Sequence, residues 1–274
     1  MKGLRKLKNC RRAVSYAISA VIIAATTIVL VIVALSYAYQ TIDQQQGASE
    51  YNVIENSFLT LDDALNTVAW KPQSSRSIRF SVNYGELWLL KDERLISINV
   101  TINGAPIGTP FQIQSGEIKY SISHNYIRFS ENYKEFFIGS NLTVTNSSTV
   151  GFGRAYVADT GGKVDLVYYP AVRAMKTSVI QVKEGGESYN VTYVDIWIIK
   201  LSIEKTSVFR GDFDIKLRCL SVETLQSLNY AVSEGDTCTV SVQIEDEASE
   251  VNIPINHDGQ LVVNFIVSDI EVTI

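Results

Sequence analysis

The sequence predicts an α+β protein: a long N-terminal hydrophobic α-helix followed by an antiparallel β-sandwich-type head. Three observations carry this. A charge-free apolar run fills residues 13–42, an apolar stripe at helical spacing continues to residue 68, and from Ser77 onward the pattern switches to period two.

A helix over Ala13 to Ile42 is about 45 Å long, more than the ~30 Å hydrocarbon core of a bilayer. A secretory signal normally has an apolar region of only about 7 to 15 residues. Cleavage near residue 38, after the small residues Ala34, Ser36 and Ala38, stays open as the alternative. Six cations, Lys2, Arg5, Lys6, Lys8, Arg11 and Arg12, precede the run without an acidic counterpart. The positive-inside bias therefore places the N-terminus in the cytoplasm and the rest outside. Beyond residue 13 the chain has 18 basic against 29 acidic residues, a formal charge of −11. That balance disfavours nucleic acid as a partner and suits a mutually repelling extracellular surface.

Past the apolar run, Tyr51, Ile54, Phe58, Leu61, Leu65 and Val68 recur at spacings of three and four, the stripe of a helix packed on one face. The opposite face carries Glu50, Asn52, Glu55, Asp62, Asp63 and Asn66 and is expected to be solvated. Pro72, lacking an amide donor, stops the helix. Between the two helical parts lies "DQQQGAS", Asp43 to Ser49, where Gly47 costs about 1 kcal/mol relative to alanine. It predicts either a hinge in one long helix or a linker. The expected organisation is a basic leader over 1–13, a transmembrane and assembly helix over 14–71 with a hinge at 43–49, and an extracellular β-rich head over 72–274.

Within the head, segments such as "SIRFSVNY", "VDIWIIKLSI" and "LVVNFIVSDIEVTI" alternate apolar and polar residues as strands do. Asn103-Gly104, Gly161-Gly162, Gly185-Gly186, Gly211-Asp212 and Asp258-Gly259 supply turn chemistry between strands. About 200 residues is long for one sandwich, so Gly185-Gly186 marks a candidate boundary between two stacked β units. Cys10 falls in the leader, leaving Cys219 and Cys238 in an exported body, where a Cys219–Cys238 disulfide is expected.

The search for chemistry finds little. His124 and His257 stand in polar, turn-like surroundings without a second ligand at metal spacing, and read as solvated loop residues. "VADTGGKV", Val157 to Val164, lacks the first glycine and the final hydroxyl of a phosphate loop and reads as a turn. "IEDEASE", Ile244 to Glu250, is a short acidic loop of the kind that attracts calcium but is usually only solvated. No catalytic residue, metal site or cofactor is assigned. Asn99, Asn141, Asn146 and Asn190 stand in N-glycosylation acceptor sequences on the exported side.

At the point where charge meets the apolar helix the sequence reads Arg12-Ala13-Val14-Ser15. This junction resembles the class III, prepilin-type leader of archaeal type IV pilin-like proteins. Counting from Val14, the fifth residue is Ile18 and not the glutamate of the bacterial branch, which places the resemblance on the archaeal side. The resemblance covers roughly residues 5 to 40. It implies cleavage by a prepilin-type leader peptidase on the cytoplasmic side, after which the freed helix packs with other pilin-like subunits, or with copies of itself, in a filament. Ala17, Ala20 and Ala24 would form the close-packing face. The expected protein is a non-enzymatic major or minor pilin-like subunit located in the cell membrane or in a surface filament. A non-polymerising, membrane-anchored β-sandwich that binds a ligand or acts like a stator, and an anchored extracellular hydrolase, are the alternatives.

Overall fold

In a computed structural model, described for residues 2–147, 151–184 and 187–274, the chain forms one helix followed by one large sheet. The helix, α1 (Lys2–Val68), runs for 67 residues without interruption, about 100 Å at the usual rise. Several of its hydroxyls bond back into their own helix, as Thr26 and Thr27 do to the Ile23 carbonyl and Thr41 to the Tyr37 carbonyl. These threonines are thereby satisfied without water. After Val68 the chain turns through Pro72 and Gln73, the latter at φ 69°, and Ser74 Oγ reaches the Lys71 carbonyl at 2.5 Å.

The strands are β1 (Ser75–Ile102), β2 (Ala105–Pro106), β3 (Phe111–Ser123), β4 (Lys134–Ile138), β5 (Val144–Thr145), β6 (Gly153–Asp159) and β7 (Lys163–Pro170), followed by β8 (Val172–Glu184), β9 (Glu187–Ser202), β10 (Ser207–Val232), β11 (Thr237–Ile244), β12 (Glu247–Pro254) and β13 (Gly259–Thr273). Their order is β4-β6-β7-β3-β1-β10-β13-β9-β8-β5, with β11 pairing β1 and β12, and β2 pairing β1. The sheet is mixed, not purely antiparallel. β13 runs parallel to β9 from Gly259↔Asn190 to Glu271↔Ser202, and β5 runs parallel to β8. Period-two alternation is the same in both directions, so pairing sense was not readable from it. The Asn103-Gly104 pair, at φ 49° and 82°, closes the β1–β2 turn with the two left-handed residues that such hairpins need. Gly211-Asp212 instead lies inside β10, opposite Val82 and Ser81. Gly185 and Gly186 lie outside the described residues.

Two hydrophobic cores form. The first holds the α1 stripe, Tyr51, Ile54, Phe58, Leu61, Leu65 and Val68, against β1, β3, β6, β7 and β10, with Phe58 edge-on to Phe80 and Tyr168. The second includes no α1 residue and is built from Ile96 to Ile102 of β1, β11, β12 and the middle parts of β9 and β13. β1, β9 and β13 each contribute to both cores. A network of ions lies where β1, β3, β6 and the β11–β12 turn meet. Arg94 pairs with Glu117 and Glu245 and stacks on Tyr169, while Arg154, 1% exposed, donates to Glu247 at 2.5 Å and to the Ser140 and Asn141 carbonyls. The acidic run Ile244–Glu250 is therefore not a free solvated loop, because Glu245 pairs with the half-buried Arg94 and Glu247 with the buried Arg154. Burial pulls the Glu247 carboxyl upward, and hydrogen bonds from Lys134 and Arg154 outweigh it, holding the group below its ordinary range.

The expected disulfide is not formed. Cys219 and Cys238 are both free thiols, fully buried, and they belong to different cores. Cys219 Sγ lies 3.5 Å from the Ala69 carbonyl at the end of α1, whereas Cys238 sits between Ile102 and Ile253 of its neighbouring strands. Both act as small core hydrophobes, and burial pushes the Cys238 thiol up to about 12. In the native chain both should resist maleimide, and in denaturant without reductant both should label. Failure to label after unfolding would restore the disulfide.

Candidate functional site: the bare helix and its seat

α1 divides into a bare part and a seated part. From Ile18 to Ile42 nearly every side chain is exposed, and the segment is long and apolar enough to cross a membrane. Tyr16, Tyr37 and Tyr39 are among its most exposed residues, at 81%, 72% and 71%. Tyr16 and Tyr37 stand about 32 Å apart along the axis, close to the ~30 Å hydrocarbon thickness. Tyrosines with an apolar ring and a polar tip concentrate at the two membrane–water boundaries. Tyr16 at one end, and Tyr37 and Tyr39 on the side of the head, stand where the two boundaries of such a span would fall.

Ala20 and Ala24 are exposed on this bare part, one turn apart and so on one face. The side chains of Arg12, Ala13, Val14, Ser15 and Ala17 lie outside the described residues, and the α1 backbone passes through these positions.

The seat begins at Gln46. Tyr84 Oη donates to Gln46 Oε1 at 2.5 Å, and one residue on, the ring of Tyr126 covers Gly47. A β-carbon added at Gly47 would stand 2.3 Å from Cδ1 and 2.8 Å from Cβ of Tyr126. Gly47 is thus no hinge, because the helix is unbroken there. It is a glycine so that the loop after β3 can touch the helix backbone. If helix propensity alone ruled, Gly47→Ala would gain about 1 kcal/mol. The contact predicts the opposite sign, a loss of about 1–3 kcal/mol from overpacking. Denaturant unfolding of Gly47→Ala in detergent reads the sign directly.

One turn above lies Glu50, 7% exposed. The pairing of β1 with β10 breaks between Val82 and Leu87, which leaves the amides of this irregularity without partners on β10. Glu50 takes them. Its carboxylate accepts from Asn83 N at 2.6 Å, Tyr84 N at 3.1 Å and Gly85 N at 3.0 Å, and from Tyr120 Oη at 2.9 Å. Burial first, and then the Glu50 charge, push the Tyr120 hydroxyl far above its ordinary value, so it remains a donor. Three turns further on, Asp62 accepts from Tyr168 Oη at 2.9 Å and from Asn66 Nδ2 at 3.1 Å, and Asn66 Oδ1 accepts from Phe152 N. Burial raises the Asp62 carboxyl, with those hydrogen bonds opposing it. The expected solvated face is therefore corrected at Glu50, Asp62 and Asn66. These polar groups fasten the head to the helix, whereas Asn52 and Asp63 are exposed. At the top of α1, Trp70 packs on Phe152 and edge-on to Trp197, and Ser268 Oγ donates to the Ala69 carbonyl.

Elsewhere chemistry stays sparse. His124 is mostly buried, with Nε2 2.8 Å from Asp159 Oδ2, and so is not a solvated loop histidine, whereas His257 is exposed. Among the described residues no three His, Cys, Asp or Glu side chains converge as metal ligands. "VADTGGKV" forms the turn between β6 and β7, with Gly161 N donating to Asp159 Oδ1 at 2.9 Å. Asn99, Asn141 and Asn146 are exposed, and Asn190 is half-buried in the β9–β13 pairing. Ser148, which completes the acceptor at Asn146, lies outside the described residues. Comparison with protein families, characterised proteins and solved structures yields no match to this chain.

Proposed function

We propose that this chain is a non-enzymatic subunit of a surface filament of the type IV pilus class, processed by a prepilin-type peptidase between Ala13 and Val14. One observation carries the reading. The helix that runs through the basic junction continues without a break into the head, and Glu50, Asp62 and Asn66 lock it there. A plain anchor needs only a tether, and a flexible linker serves as well. A subunit that must transmit the packing of its apolar helix to the placement of its head needs a rigid coupling between the two. The six basic residues ahead of the span support a cytoplasmic leader with the head outside, and the acidic, β-rich head fits an outer surface.

N-terminal mass spectrometry of the membrane and filament fractions tests this. The expected mature chain begins at Val14, and Arg12→Asp or Ala13→Asp abolishes processing. A mature protein that retains residues 1–13, or begins near Tyr39, would overturn the assignment in favour of a simple anchor or an ordinary export signal.

A further inference from the structure

The sheet face turned away from α1 carries a groove that neither core fills. On β1, Leu87 and Leu89 belong to the first core, so strand alternation turns Trp88 and Leu90 to the opposite face. Register continues that face across the neighbouring strands, with Lys119 of β3 opposite Trp88 and Asp165 of β7 opposite Ser121 of β3. Farther along β7 the same face enters the second core through Val167 and Tyr169. Nearer the β6–β7 turn it stays open. There a groove of about 470 Å³ lies between Trp88, Lys119 and Asp165 and the exposed Glu93, Thr160 and Lys163.

Trp70 and Trp197 pack edge-on beside the first core, whereas Trp88 is half-buried and belongs to neither core. Among the described residues it stacks on no other aromatic ring, and its indole N–H donates to no protein group. Its strand neighbours are Lys119 and the exposed Val208. The polar side of the groove is fixed. Asp165, 4% exposed, accepts from Ser121 Oγ at 2.5 Å and pairs with Lys119 Nζ at 3.0 Å. An ammonium has three donors, and this pair uses one of them. Thr160 Oγ1 donates to the Lys163 carbonyl at 3.0 Å and keeps its lone pairs for an outside donor.

The charges decide the class of ligand. Glu93 and Asp165 balance Lys119 and Lys163 around the groove, so neither an anion nor a cation meets a field of one sign. What remains is one aromatic surface beside donors and acceptors, in a volume within the range of about 300–1,000 Å³ common to small-ligand sites. We propose that this groove binds an uncharged carbohydrate, with the C–H face of one pyranose ring against the indole of Trp88 and its hydroxyls bonded by Lys119, Thr160 and Lys163. An indole face is electron-rich, and ring C–H groups present weakly positive hydrogens to it. Each sugar hydroxyl both donates and accepts, which suits a rim of mixed donors and acceptors. The groove lies across the sheet from α1, so it stays open whether the apolar helix sits in lipid or packs with other helices.

Titration of the full chain in a detergent without a sugar headgroup tests this, read by saturation-transfer NMR and by tryptophan emission. Maltotriose, cellotriose and N,N′-diacetylchitobiose are the neutral probes, and a heparin disaccharide and a glucosamine oligomer the charged ones. At least one neutral probe should bind, equally well in low and high salt. Trp88→Ala should weaken that binding by at least about tenfold, and Trp88→Tyr, which keeps an aromatic face, by less. Thr160→Val, on the exposed rim, should weaken it at an unchanged unfolding midpoint, which separates lost binding from lost fold. Binding of none of the neutral probes overturns the proposal, as does parental affinity in Trp88→Ala or in Thr160→Val. Preference for a charged probe, lost in high salt, overturns the assignment of an uncharged ligand. None of these outcomes depends on filament assembly.

Discussion

Glu50→Ala is expected to destabilise the full chain by about 3–5 kcal/mol, the largest effect of any single substitution on the helix surface. The reason is what the carboxylate leaves behind. Three strand amides and the Tyr120 hydroxyl converge on it within a buried seat, and they face that way because β1 has lost its register with β10 between Val82 and Leu87. Removing the acceptor leaves these donors without a partner on β10 and the buried Gly85 amide and Tyr120 hydroxyl without one at all, and each charge-assisted bond is worth about 1.5–3 kcal/mol. Asn52→Ala, exposed on the same helix, should change stability by no more than about 0.5 kcal/mol. Glu50→Gln keeps one acceptor oxygen and should fall between them. Denaturant unfolding in detergent, followed through Trp70 and Trp197 at the upper end of the seat, reads all three. Should Glu50→Ala unfold with the same midpoint and slope as the parent chain, the clamp is not what holds helix to head.

The contrast between Glu50 and its neighbours shows what could be read in advance. A long apolar helix followed by a β-rich body was legible, because both rest on periodicity among residues close in sequence. Glu50 and Asn52 are equally polar, and no local pattern separates them. What separates them is a break in strand register more than thirty residues further along the chain, whose amides need an acceptor. Gly47 is similar. In isolation a glycine in a polar stretch reads as flexibility, and only the arrival of Tyr126 makes it a close contact within an unbroken helix. The cysteines failed for a related reason. Compartment and count suggest a bond, but strand topology puts Cys219 under the end of α1 and Cys238 in the other core. Long-range pairing decided each of these, and it leaves no trace in local sequence. The bare apolar stretch of α1 was legible for the opposite reason, since the tendency to leave water belongs to each residue in turn.

On the proposed filament-subunit reading, Ala24→Leu, and equally Ala20→Leu, should reduce incorporation into filaments while leaving membrane insertion and leader cleavage intact. In lipid, apolar helices gain nothing hydrophobically by meeting, so they associate through close approach of small residues. Ala20 and Ala24 offer one such strip, a turn apart on one face, among exposed bulky neighbours that include Ile22, Ile23, Val29 and Leu30. Thr26 and Thr27 donate into their own helix and so provide no free hydroxyl proton to hold a neighbour. Packing at the alanines must then supply the specificity. Leucine raises the hydrophobicity of the span, so insertion is favoured at least as well as before, and the junction at Arg12-Ala13-Val14-Ser15 is untouched. It pushes neighbouring backbones apart, and a loss of about 1.4 kcal/mol at each contact lowers association about tenfold. A simple anchor predicts no such separation between processing and assembly. Quantifying the processed chain in membranes and in sheared filaments decides between them. Recovery of Ala24→Leu in filaments at the parental yield, or failure to isolate any filament containing this chain, would remove the assembly role from this helix.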